Sequence, residues 1–206
     1  MNRKVKALCT VAVLACFSSA MVSMASAAQF TSAGGKYPVT ITATSTADVF
    51  DKFGSSEKCT NNTFSGTLAA ASESLTLTPT WSSCTSFGLP STFTSEAGTW
   101  EVTSDGTVHI KKKFTEHVYS STPHVTTLCT NETFPQTPAG KVTWTNNANG
   151  TVTMSGTISG ITSTQERNSI FCPAGTHTTT ASYTIQSGGI VFSGKVGGVA
   201  EAIHVK

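Results

Sequence analysis

Along most of this chain apolar residues fall at every second position. Val39-Thr-Ile-Thr-Ala43, Leu75-Thr-Leu77, Val108-His-Ile110, Val142-Thr-Trp144 and Val152-Thr-Met154, which runs on to Ile158, all repeat with period two. That period sends successive side chains to opposite faces of an extended strand, one buried and one wet. Threonine on the wet face is β-branched and suits a pleated surface. Between the alternating runs stand Ser104-Asp105-Gly106, Thr137-Pro138-Ala139-Gly140, Asn146-Asn147-Ala148-Asn149-Gly150 and Ser187-Gly188-Gly189, all of turn composition. Asn149-Gly150, set between two alternating runs, predicts a hairpin. No part of the chain beyond its amino-terminal segment carries a helical stripe. Short strands at this spacing predict an all-β fold, an antiparallel β-sandwich, with a partly closed barrel as the neighbouring solution. Trp81, three residues before Cys84, is compatible with an immunoglobulin-like core. The Cys59-to-Cys84 spacing is too short for the usual bridge of that fold, so the likeness is one of architecture.

The amino-terminal segment reads differently. Met1-Asn-Arg-Lys-Val-Lys6 is basic, Ala7 to Met24 is largely apolar, and Ala25-Ser-Ala-Ala28 is a run of small residues. These are the three parts of a secretory signal peptide, expected to occupy residues 1–27 and to leave residues 28–206 as one exported all-β domain. Cys9, Thr10, Cys16 and three serines interrupt the apolar run, which favours removal over permanent spanning. Lipid attachment at Cys16 is disfavoured because the residues after it stay apolar. No later segment approaches the roughly 20 apolar residues of a membrane helix. Leu89-Pro90-Ser91-Thr92 lacks the Gly and the apolar tail of a cell-wall sorting signal and reads as a turn into a strand.

Loss of the leader changes the charge balance. Of 13 basic residues it removes Arg3, Lys4 and Lys6, and none of the 11 acidic ones, so the formal +2 becomes −1. A general attraction to nucleic acid or to anionic membrane is therefore not expected. Charged residues make up only 12% of the chain, so hydroxyls supply the polar face that charges supply elsewhere.

Of six cysteines, Cys59, Cys84, Cys129 and Cys172 remain after cleavage. An even number in an exported chain points to two disulfides, for which three connectivities exist. The sequential pairing, Cys59 with Cys84 and Cys129 with Cys172, is the expected one, since each pair then brackets strand-like sequence. A structural zinc site would need close paired spacings such as C-x-x-C, which are missing.

Cys59-Thr-Asn-Asn-Thr-Phe64 returns as Cys129-Thr-Asn-Glu-Thr-Phe134, and Thr46-Ala-Asp-Val-Phe50 resembles Thr115-Glu-His-Val-Tyr119 with a slip of one residue. Chance in a Thr-rich chain and a duplicated hairpin both account for this echo. Asn61, Asn131 and Asn149 open formal glycosylation sequons, which in a bacterial exported protein are expected to stay unmodified.

Side chains with chemical promise are few. His109, His117 and His124 with Lys111-Lys112-Lys113 form the one polar cluster, but Ser121-Ser-Thr-Pro123 turns the chain before His124, so a three-His metal site is unforced. The lysines are expected to guard an edge strand against pairing with other chains. A Ser or Thr nucleophile needs a base and an orienting acid, and among so many hydroxyls none stands out. Met154-Ser155-Gly156 lacks the first Gly of a nucleophile elbow. Paired carboxylates for glycoside hydrolysis, phosphate loops and dinucleotide fingerprints are missing as well. Trp100 and Trp144 alternate with Val102 and Val142 and belong to the core; Phe87 and Phe93, flanking Leu89-Pro90, are the loop aromatics that could meet a sugar.

Several segments resemble a group of uncharacterised secreted proteins of soil actinobacteria: Tyr37-Pro-Val-Thr-Ile-Thr-Ala-Thr44, Thr63-Phe-Ser-Gly-Thr-Leu68, Leu75-Thr-Leu-Thr-Pro-Thr-Trp-Ser-Ser-Cys-Thr-Ser-Phe-Gly-Leu-Pro90 and Cys172-Pro-Ala-Gly175. The resemblance implies an exported, disulfide-containing β protein and carries no activity or site with it. A Gly-Cys pair followed by an aromatic is usual in that group after Leu-Pro; Gly98-Thr99-Trp100 lacks the Cys, which leaves Cys129 as the partner of Cys172 if Cys59 and Cys84 pair.

The expectation is thus a secreted, non-enzymatic binding module of the cell envelope or medium. It takes no cofactor or metal, has no catalytic residue, and meets a surface protein or a glycan through residues the sequence does not specify. The alternative is a small secreted hydrolase using a Ser or His site without a known motif.

Overall fold

A computed structural model describes residues 27–45, 48–94, 99–121, 123–173 and 175–206; residues 1–26 of the expected leader lie outside them. The strands are β1 (Phe30–Ser32), β2 (Val39–Ser45), β3 (Asp48–Lys52), β4 (Ser55–Leu68), β5 (Ser74–Ser86), β6 (Leu89–Phe93), β7 (Trp100–Thr103), β8 (Val108–Ile110), β9 (Phe114–Tyr119), β10 (Thr127–Thr133), β11 (Val142–Asn146), β12 (Val152–Arg167), β13 (His177–Val196), β14 (Val199–Glu201) and β15 (Ile203–Val205). Every pairing is antiparallel. The all-β architecture and the two disulfides read from the sequence are present: Cys59 bonds Cys84 and Cys129 bonds Cys172. No helix among the described residues is long and apolar enough to cross a membrane.

The faces of the sandwich are joined along their edges. Long strands β4, β5, β12 and β13 each serve two neighbours in turn. β13 pairs with β2 through Val191–Lys195 and with β3 through Ser182–Ile185, while β4 meets the same two strands on its own edge. β5 gives its first half to β7 and its last residues to β6. At one end, hydrogen bonding runs β3–β4–β5–β6–β9–β10–β12–β13 and back to β3. At the other it passes from β8 to Gln136 and, through Val142 N–H donating to Gly106 C=O, to β11. Closing the path leaves few free strand edges for another chain to pair with.

The bends that allow closure coincide with changes of side-chain parity. In β4, Glu57 and Cys59 point inward and then Asn62 and Phe64; in β5, Trp81 and then Cys84 and Ser86 do. Ser83, between them, has φ 54°. Cys59 and Cys84 face each other at this step, Cα atoms 4.0 Å apart, so the first disulfide clamps the two strands where both bend. The two copies of the sequence echo lie on β4 and β10. Both begin with an inward cysteine and then diverge: Asn62 and Phe64 are buried in the first, Asn131 and Thr133 in the second.

The interior has two chemical halves. Toward the turns 69–73, 104–107 and 147–151 it is apolar, built from Ile41, Leu77, Trp100, Val102, Ile110, Met154, Ile190 and Phe192. An aromatic layer of Phe50, Phe64, Trp81, Phe93, Trp100, Phe114 and Tyr183 follows, with ring centroids 4.7–6.4 Å apart. Beyond it, toward the turns 53–54 and 87–88 and the ends of β9 and β12, the inward positions are polar: Asp48, Lys52, Glu57, Asn62, Ser91, Glu116, Asn131, Thr133, Ser163 and Gln165.

Candidate functional site

The polar half of the interior is where side-chain chemistry concentrates. β3 alternates so that Asp48, Phe50 and Lys52 point inward, and the following turn returns the chain along β4 to bring Glu57 in as well. β9 contributes Glu116 between Phe114 and Val118, and β10 places Asn131 directly opposite Glu116 in register. Lys52 reaches across the interior from β3. Its Nζ lies 2.7 Å from Glu116 Oε2 and 2.8 Å from Glu57 Oε2. Asn131 Nδ2 donates to the same Glu116 Oε2 at 2.7 Å. Ser91 donates to Glu57 Oε1 at 3.5 Å. Relative exposures are 4% for Lys52, 1% for Glu57, 0% for Glu116 and 2% for Asn131, and the rings of Phe50 and Phe93 lie 5.0 and 5.5 Å from Nζ.

One cation with two carboxyls in a sealed space cannot keep all three charges at low cost. Burial, and then the charge on Glu116, push Glu57 well above the usual carboxylate range. Burial acts on Glu116 in the same direction, but the Lys52 ammonium and the donors around it outweigh that and hold it below its ordinary value. Lys52 is drawn down by burial and raised further by the two carboxylates, so it stays an ammonium. Of the two carboxyls, burial biases Glu57 toward its neutral form, and the donors around Glu116 favour its ion pair with Lys52. Glu116 Oε1 and Asn131 Oδ1 are buried without a hydrogen-bond partner.

A second polar group sits beside it. Asp48 accepts from Ser45 Oγ at 2.6 Å, Asn62 Nδ2 at 2.9 Å and Tyr183 Oη at 2.6 Å. Burial outweighs these donors and raises its pKa. Gln165 donates to Gly175 C=O at 2.8 Å, and Thr133 and Ser163 share a hydrogen bond at 2.7 Å.

The residues singled out in the sequence lie elsewhere. His109 Nδ1 is 2.8 Å from Thr137 Oγ1, His117 Nδ1 is 3.3 Å from Thr130 Oγ1, and His124 stacks on Tyr119 with centroids 4.2 Å apart. The three rings do not converge. Lys111 pairs with Glu101 and Lys113 with Glu132 on the surface. His124 borders an open groove of about 400 Å³ with Thr85, Pro90, Ser91 and Thr92. Trp81 and Trp100 are core residues; Trp144 is half-buried, packs on Phe30 and Phe192, and donates to Thr103 C=O at 3.0 Å. Phe93 belongs to the aromatic layer against Trp81 and Phe114, so of the two loop aromatics Phe87 alone keeps a place in a turn. Glu57 lies close to the sulfurs of Cys59 and Cys84, but these are bonded to each other and offer no thiolate for a metal.

Reading from composition missed Lys52, Glu57, Glu116 and Asn131. The signal was available in parity, because each stands two residues from an inward anchor: Phe50, Cys59, Phe114 and Cys129 respectively.

Comparison with family models, with curated proteins and with solved structures finds no match.

Proposed function

We propose that this chain is an exported, non-enzymatic β scaffold that acts by surface contact in the cell envelope or the medium. The observation that carries this reading is a braced apolar turn at the polar-interior end. Ile170 and Phe171 are 75% and 71% exposed, yet the turn that holds them is pinned. Asn168 and Ser169 N–H donate to Leu128 C=O, Cys172 N–H donates to Ser169 C=O, and Cys172 is bonded to Cys129. Val125, 71% exposed, stands on the neighbouring β9–β10 connection. Large apolar side chains held out in water on a rigid support are the arrangement of a contact surface, because little ordering entropy remains to be lost on binding. The sealing of Lys52, Glu57 and Glu116 agrees with this reading, since these groups do not face a substrate in solution. The two disulfides and the resemblance to secreted actinobacterial proteins support export. The partner is a surface protein with an apolar crevice; a glycan is the other candidate.

Binding of the labelled protein to intact cells of its own host tests this. Saturable binding that falls at least tenfold in the Ile170→Ser/Phe171→Ser variant, and that disappears when the cells are treated with protease, supports it. Undiminished binding by a folded variant overturns the contact surface, and turnover of any member of a hydrolase substrate panel overturns the non-enzymatic role. Loss of binding after treatment with glycan-degrading enzymes, but not protease, makes the partner a glycan.

A further inference from the structure

We propose that Lys52 and Asn131 form a covalent side-chain amide inside the folded protein, with Glu116 as the proton-transfer group. The amine and the carboxamide come from strands that are not neighbours, β3 and β10, and meet at one atom: Lys52 Nζ and Asn131 Nδ2 each lie 2.7 Å from Glu116 Oε2. Nothing in strand pairing requires this. Asn131 is held against Glu116 by the β9–β10 register, whereas Lys52 arrives from across the interior, beneath the rings of Phe50 and Phe93. Glu116 is thus in contact with both the nucleophile and the leaving group, the position a general acid–base group must hold.

The reaction balances without any co-reactant. Lys52 ammonium gives a proton to Glu116 carboxylate, and the neutral amine attacks Cγ of Asn131. The new N–C bond forms and the C=O electrons move to Oδ1. Glu116 then protonates Nδ2 as the Cγ–Nδ2 bond breaks, and it takes back the surplus proton from the attacking nitrogen. The ion pair and the carboxamide become a secondary amide, a neutral Glu116 carboxylic acid and one molecule of ammonia, with nothing oxidised or reduced.

Two physical arguments favour the product. Fixed proximity of amine and amide replaces a bimolecular encounter by an intramolecular one, for which effective molarities reach about 10⁵ to 10⁸ M. Burial disfavours the ions of the starting state, and the reaction removes two of them: the Lys52 ammonium is gone and the Glu116 carboxylate becomes a neutral acid. Asn131 Oδ1, buried without a partner, becomes an amide oxygen beside a carboxylic acid able to donate to it. Glu57, the remaining acid, touches only Lys52 of the two reacting groups among its named contacts. An amide from Lys52 to either glutamate would release water instead of ammonia, which separates these bonds by mass.

The experiment is mass spectrometry of the full chain as exported, intact and after trypsin digestion with the disulfides reduced. Leader removal one residue later, after Ala28, would expose Gln29, which itself cyclises with loss of ammonia, so the location of the loss decides. The expected result is a branched peptide in which uncleaved Lys52 is joined to the peptide containing Asn131, lighter than the two together by one ammonia. Separate peptides, with cleavage after Lys52, overturn the proposal, and a joined peptide lighter by one water overturns the assignment to Asn131. Glu116→Gln removes proton transfer while keeping shape; if it exports with both disulfides formed, it is expected to show the separate peptides. A cross-link formed as fully in that variant overturns the role of Glu116. Asn131→Ala, which lacks the electrophile, serves as the second variant with the same expected peptides.

Discussion

Tyr183 Oη donates to Asp48 Oδ2 at 2.6 Å although the two residues are 135 apart in sequence. The bond joins the last long strand to the first strand of the polar interior, and both groups are buried. Tyr183→Phe removes one of three donors to Asp48 and leaves its carboxyl less satisfied. A loss of about 1–3 kcal/mol is expected, read as a lower midpoint in urea unfolding.

Alkaline pH acts on the same interior. Burial and then the charge on Asp48 raise Tyr183 well above its ordinary 10.0, and the two glutamates raise Lys52 above 10.5 against the opposing effect of burial. Each folded pKa exceeds its unfolded value, so each contribution is complete below the unfolded value and is lost as pH rises toward the folded one. Stability is expected to fall above about pH 10, by about 1.4 kcal/mol per pH unit for each titrating group. Tyr183→Phe removes one share of the slope, and the amide proposed at Lys52 would remove the other. Urea midpoints measured between pH 9 and 11 check this; a flat profile in a wild type with free Lys52 contradicts it.

The disulfides are expected to differ in value with the length of chain they enclose. Cys59–Cys84 spans 25 residues and Cys129–Cys172 spans 43, for which loop entropy gives about 3.5 and about 4 kcal/mol. Paired Ser replacements, compared by urea unfolding, test the order. Loss of the second bridge is expected in addition to weaken host-cell binding, because it frees the turn that carries Ile170 and Phe171.

Gly106 is a position where the backbone requires glycine. Its φ is 86°, and a Cβ there would fall 1.9 Å from Val142 O. The turn around it is shaped by Asp105, which accepts from Thr103 and Thr107 and pairs with Lys141. Gly106→Ala is expected to cost at least about 1–3 kcal/mol and to speed hydrogen exchange at the Val142 amide, which donates to Gly106 C=O. Unchanged exchange there would contradict the closure between β8 and β11.

Strands and disulfides were legible because both leave local marks: alternation for Val39–Ser45 and Val152–Met154, and sequential cysteines bracketing such runs. Trp100 was placed in the core by alternation with Val102 and is 0% exposed. The polar interior carries the same parity, but a reading that takes a charged residue in a strand to be solvent-facing passes over it. Lys52 is charged and inward, and its burial depends on Glu57, Glu116 and Asn131, three partners that only tertiary structure brings together. The changes of parity at Thr60 and Ser83 also break the count that a simple period-two reading relies on. Phe93 reads as a loop aromatic flanking Leu89-Pro90; instead β6 pairs with both β5 and β9 and carries it into the aromatic layer.

The pairing of β1 with β15 sets Gln29 beside Lys206, each donating its N–H to the other's C=O. Both ends of the folded body therefore leave from one corner, at the apolar end, opposite the turn that carries Ile170 and Phe171. Tension applied through the two ends would separate this short ladder one hydrogen bond at a time, while the closed strands behind it bear almost none of the load. Tethered by either end, the body would hang from that corner with its contact turn facing away from the anchor.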